Sequence, residues 1–136
     1  MPQLETLHVG AQIPSRVFTP TSVSLFLYNA AIWNSHRIHY DEPYTTGVER
    51  HPGIVIDGPL QGDWLTQIVL EWLGDDGALV EFEYTNRQAS YLGATLTAGG
   101  QVSEIDSTNR TVSLEIAIID SAGVVLTPGH AVVKLA

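Results

Sequence analysis

An α+β architecture, with an antiparallel sheet curled around one long buried helix, follows from three features of this 136-residue sequence. Apolar residues from Leu60 to Leu73 occupy more than one helical stripe, as on a helix covered from several sides. Beyond them the apolar residues recur with period two, the spacing of half-buried strands. Short clusters of turn-forming residues then divide the rest of the chain into strands. A buried helix followed by a run of antiparallel strands segregates the two element types, which is the α+β pattern.

The first helix is expected to start at Thr19-Pro20. Thr19 can cap it, and Pro20 suits the first helical position because its missing N–H has no partner there anyway. Val23, Phe26, Leu27, Ala30, Ala31 and Asn34 then fall on one face at helical spacing, so Asn34 ends an otherwise apolar stripe. A polar loop, His36 to Pro43, and a turn of helix around Tyr44 to Glu49 come next. Ile54-Val55-Ile56 leads into Asp57-Gly58-Pro59 and the long helix, which stops at Gly74. Trp64 and Trp72 on that helix read as core. Val80, Phe82 and Tyr84 alternate with Glu81 and Glu83, and Val112, Leu114, Ile116 and Ile118 alternate with Ser113, Glu115 and Ala117. Asp106-Ser107-Thr108-Asn109 and Asp120-Ser121-Ala122-Gly123 have turn chemistry and separate strands near 94–104, 110–120 and 124–135. No repeat, low-complexity tract or linker interrupts the chain, so residues 1–136 read as one domain.

Composition narrows function by exclusion. The formal net charge is −9 and the six Lys and Arg residues are scattered, which argues against a nucleic-acid partner. No apolar run reaches the roughly 20 residues that cross a bilayer, and no basic patch precedes an apolar stretch at Met1 to Glu5. A soluble cytoplasmic protein without membrane association is expected. The absence of cysteine removes disulfides, thiolate metal sites and cysteine nucleophiles. His36, His39 and Asp41 form a two-histidine, one-carboxylate set, but their spacing is not that of a helical histidine pair and nothing else supports it. No metal and no cofactor is expected.

Three segments carry a resemblance. They are Trp33-Asn34-Ser35-His36-Arg37-Ile38-His39-Tyr40-Asp41, His51-Pro52-Gly53-Ile54-Val55-Ile56-Asp57-Gly58-Pro59-Leu60, and Phe82-Glu83-Tyr84 leading to Tyr91-Leu92-Gly93. Together they resemble the MaoC-like hydratases and dehydratases, especially the branch acting on hydroxyacyl thioesters and mesaconyl-type substrates. The resemblance implies the hot-dog fold, in which a curved sheet wraps the long helix, and a homodimer or a heteromer with another hot-dog subunit. It implies reversible hydration of a 2-enoyl thioester, the acyl group carried by coenzyme A or a carrier protein.

The family's loop has the form Asp-x-Asn-x-x-His-x-Asp. Laid on this chain, its histidine falls on His39, its second Asp on Asp41 and its first on Asn34. An amide can orient a hydroxyl but cannot take a proton. The residue before the glycine of the second segment, typically His in this branch, is here Asp57. Hydration needs a base for water, an acid for C2 and donors for the enolate-like oxygen. The resemblance therefore assigns acid–base work to His39, the water or 3-hydroxyl to Asn34, a substrate contact to His36 and the oxyanion donor to the Gly58 N–H, where the helix start favours negative charge. A carboxylate at Asp57 would repel a developing enolate oxygen; the alternative is that Asp57 caps the long helix. Asp41 reads as the cap of the turn that follows it. Arg37, Arg50 and Arg87 are the cations available to an anionic coenzyme. Two other readings compete: a thioesterase using Asp57 or Asp63 to activate water, and a non-catalytic subunit completing a heteromer.

Overall fold

The computed structural model describes residues 1–136. One five-stranded antiparallel sheet, ordered β1-β3-β4-β5-β2, is formed by β1 (Gln12–Phe18), β2 (Gly77–Tyr84), β3 (Leu96–Asp106), β4 (Thr111–Ile119) and β5 (Val125–Leu135). Three α-helices precede β2: α1 (Ser22–Ala31), α2 (Glu42–Gly47) and α3 (Gly58–Leu73). No helix is long and apolar enough to cross a membrane.

The expected α+β arrangement is present. Helix α3 buries Trp64, Leu65, Ile68, Val69 and Leu73 against the sheet, where Val112, Leu114, Ile116 and Ile118 of β4 face it. It ends at Gly74, whose φ of 73° is open to glycine at little cost. The two meander turns are built as their residues suggest. Asp106 Oδ1 accepts the Thr108 and Asn109 N–H groups, and Asp120 Oδ1 accepts those of Ala122 and Val124.

The structure corrects the sequence reading at four places. Helix α1 is capped by Thr21, not Thr19, in a capping box with Ser24. Its buried face is Leu25 and Asn29, whereas Val23, Phe26 and Leu27 are exposed. Strand β1 has no counterpart in the sequence reading. As an edge strand with a register shift between Ile13 and Arg16, around Pro14, it buries only Ile13, so it lacks a period-two signal. A bulge between Leu79 and Glu81 leaves Val80 exposed while Phe82 and Tyr84 stay half-buried.

Strands β3 and β4 approach closely at Gly100, where an added Cβ would lie 2.6 Å from the Glu115 carbonyl and 2.7 Å from Ile116 Cγ2. Backbone cannot swing aside as a side-chain tip can. Gly100→Ala is therefore expected to lower stability by about 1–3 kcal/mol, as overpacking does. Urea unfolding should show an earlier midpoint with an unchanged slope, and an unmoved midpoint would mean the strands have room.

Candidate active site

The loop between α1 and α2 is fixed by its own polar residues. Trp33 takes φ 58°, and the N–H groups of Trp33 and Asn34 return to the Ala30 and Asn29 carbonyls, a Schellman closure of α1. Asn34 Oδ1 accepts the His36 N–H at 3.0 Å, and the Tyr40 hydroxyl donates to the Ser35 carbonyl at 2.9 Å. Arg37 donates through Nε and Nη2 to Asp41 Oδ2 and lies 4.0 Å over the Tyr44 ring. The Arg37 hydrogen bond, followed by the Tyr44 N–H, holds the Asp41 carboxyl below its ordinary range. Asp41 caps α2 through that N–H at 3.1 Å, as its position in the sequence suggests.

These ties turn His39 inward, to 7% exposure. Its Nδ1 lies 2.8 Å from the Val55 carbonyl. A carbonyl can only accept, so Nδ1 carries a hydrogen and Nε2 is the nitrogen free to gain or lose a proton. Val55 is itself held by its N–H donating to the Ile38 carbonyl. The imidazole is thus clamped between the loop and the segment that enters α3.

Nε2 faces Asp57 Oδ2 at 3.4 Å. Asp57 is 0% exposed and stands at the N-cap position of α3, yet its side chain makes no capping hydrogen bond. The capping role read from the sequence is incorrect: the carboxylate points into the interior, where Oδ1 accepts Asn29 Nδ2 at 3.0 Å. Asn29, 3% exposed, also donates to the Leu25 carbonyl at 2.8 Å. His39, Asp57 and Asn29 therefore form one buried polar group. Asn29 was not singled out in the sequence because one amide inside an apolar helix resembles any other mid-helix asparagine.

The remaining candidates lie around this centre. Asn34 makes no hydrogen bond to His39 or Asp57, but it lines a depression of about 270 Å³ with Asn29, Ala30, Trp33 and Ser35, and its Nδ2 is unengaged. His36 is exposed, edge-on to His39 with ring centroids 5.8 Å apart. Gly58 is the first residue of α3 and partly exposed; the Asn86 amide packs against it, in the space that a Cβ at this position would take. Asp63 is exposed and accepts the Tyr28 hydroxyl at 3.1 Å, outside the group. Of the three arginines, Arg37 is committed to Asp41, whereas Arg50 and Arg87 form no ion pair.

Burial raises the Asp57 carboxyl above its ordinary 3.8, against the lowering pull of Asn29 and His39. A carboxyl raised on folding favours the folded state fully below its unfolded value, and that contribution is lost as pH rises through the folded one. Asp57→Asn keeps the shape, and its amide can donate to Nε2. The variant is expected to melt higher than wild type at pH 8 and to approach it near pH 4. Equal melting gaps at both pH values would show that the carboxylate carries no burial penalty.

Residues 6–92 match the model of the family described as hydroxyacyl-thioester dehydratase type 2. Over 46 residues the chain is 46% identical to the mitochondrial hydroxyacyl-thioester dehydratase type 2 of Schizosaccharomyces pombe, and equally to the mesaconyl-C(4)-CoA hydratase of Chloroflexus aurantiacus. Those segments are 34% of this chain but only 15% and 16% of the two relatives. The fold superposes on an (R)-hydratase from A. caviae involved in PHA biosynthesis with a TM-score of 0.88, covering 97% of this chain and 99% of that one at 17% identity. The architecture is the hot-dog fold that the three segments implied.

Proposed function

The chain belongs to the hydroxyacyl-thioester dehydratase type 2 family, and from that premise we propose that it catalyses reversible hydration of a 2-enoyl thioester to the 3-hydroxyacyl thioester. The reading rests on one observation above all: the titratable nitrogen of His39 lies beside the residue that opens α3. An acid–base group and a helix start whose Gly58 and Leu60 N–H groups have no acceptor within the helix thus adjoin. In hydration, the water oxygen bonds to C3 and keeps one hydrogen as the 3-hydroxyl, its other proton passes to the site, and the site delivers one proton to C2. His39 handles the C2 proton. The Gly58 N–H stabilises the charge that develops on the thioester oxygen. Asn34 Nδ2 holds the 3-hydroxyl, and His36 contacts the substrate at the rim.

The acyl carrier is coenzyme A or a carrier protein, and the unpaired Arg50 and Arg87 are the cations left for its phosphates. Val23, Phe26, Leu27 and Trp33 lie open to solvent, more apolar surface than one helix and its end leave bare without a partner. The working unit is accordingly a pair with another hot-dog domain, either a second copy or a different chain. A native mass measurement should give a dimer, and a monomer alone and with candidate subunits would refute the pairing.

Crotonyl-CoA separates hydration from thioester cleavage. The expected result is loss of enone absorbance with no free thiol. Thiol release without hydration would replace this reading by a thioesterase in which Asp57 activates water.

A further inference from the structure

Asp57 has no structural employment that accounts for its burial. Removing a carboxylate from water is costly unless it is paired and fully hydrogen-bonded. Here the helix start beside Asp57 is left uncapped by its side chain, and Oδ2 has no hydrogen-bond partner. Asn29 Oδ1 is likewise buried and unpartnered. The amide cannot simply be turned over, because Nδ2 already serves two acceptors, the Leu25 carbonyl and Asp57 Oδ1. Two buried acceptor oxygens therefore lack donors, and one of them, Asp57 Oδ2, lies 3.4 Å from His39 Nε2. Such oxygens call for hydrogens, which a mobile proton or a reacting O–H can supply.

We propose that Asp57 is the carboxylate of this site and that Oδ2 and His39 Nε2 hold one proton between them as the acid–base pair of hydration, in place of loop position 34. This deepens the hydration reading and rests on it. With the proton on Nε2, the Asp57 carboxylate takes a proton from water as the water oxygen bonds to C3. Nε2 gives its proton to C2 as the π electrons of the double bond close onto that carbon. The pair again holds one proton, now on Oδ2, and its return across 3.4 Å resets the site. Dehydration runs the same steps backwards. Asn29 fixes the carboxylate through Oδ1 and offers its own oxygen to the second hydrogen of the water. Asn29 also lines a depression with Trp33 and Asn34. The other carboxylates near the site are spent elsewhere: Asp41 on Arg37 and the α2 cap, Asp63 on Tyr28.

Wild type, Asp57→Asn and Asp57→Ser are compared in the full chain by crotonyl-CoA hydration and by imidazole ¹⁵N resonances of His39 across pH. Both variants should lose about 100-fold or more in kcat, the scale of removing a general acid or base, with KM changed little and the Asp57→Asn fold intact. The His39 titration should move to lower pH in both variants, as loss of a neighbouring anion requires. Hydration retained in Asp57→Asn, or a His39 titration indifferent to both substitutions, overturns the pair. If wild type hydrates no enoyl thioester while the His39 titration still follows Asp57, the hydration reading and its catalytic use of the pair both fall, and only the shared proton survives.

Discussion

His39→Ala is expected to lower crotonyl-CoA hydration by about 100- to 10,000-fold, the range for removing a positioned acid–base group. His36 is not placed to take over, because it stands at the exposed rim, its ring centre 5.8 Å from that of His39, while His39 Nε2 lies 3.4 Å from the residue that opens α3. The substitution also leaves the Val55 carbonyl without its donor, so a modest fall in melting temperature should accompany the loss. Steady-state kinetics on folded variant decide the matter. Activity within tenfold of wild type would remove His39 from the chemistry.

Leu65→Ala is expected to cost about 2–5 kcal/mol, the range for truncating a fully buried leucine. Leu65 has no exposure and sits in the middle of α3, and its Cδ1 lies 3.4 Å from where a Cβ on Gly129 of β5 would be. Helix and strand are close-packed there and cannot collapse into the vacated volume. Chemical denaturation measures the loss, and a change under about 1 kcal/mol would mean that α3 is not the element around which the sheet packs.

The parts of the fold that were legible are those where burial follows a period. Helix α3 and strand β4 bury side chains at regular spacing, and the turns on either side of β4 carry aspartate and glycine where the backbone needs them. Strand β1 escaped because an edge strand containing Pro14 and burying only Ile13 presents no alternation. Val80 was misplaced because a bulge is a one-residue shift with no residue-type signal, and a one-residue shift exchanges the faces. Helix α1 misled for a different reason: apolar residues surround it, so the helical period alone could not tell the buried face, Leu25 and Asn29, from the exposed one. The site divides similarly. The loop motif led to His39, and the sequence marked Asp57 as unusual. Its placement is a tertiary fact, since only the packing of α1 against the start of α3 brings Asn29 to one carboxylate oxygen and His39 to the other.

In the proposed reaction, water adds to carbon of the acyl chain and leaves the thioester intact. The direct test is to supply crotonyl-CoA in ¹⁸O-labelled water and weigh the products by mass spectrometry. The expected product is an intact 3-hydroxybutyryl-CoA with one ¹⁸O in its 3-hydroxyl, with none in free acid. Label appearing in a released carboxylate, with the enoyl double bond untouched, would contradict it.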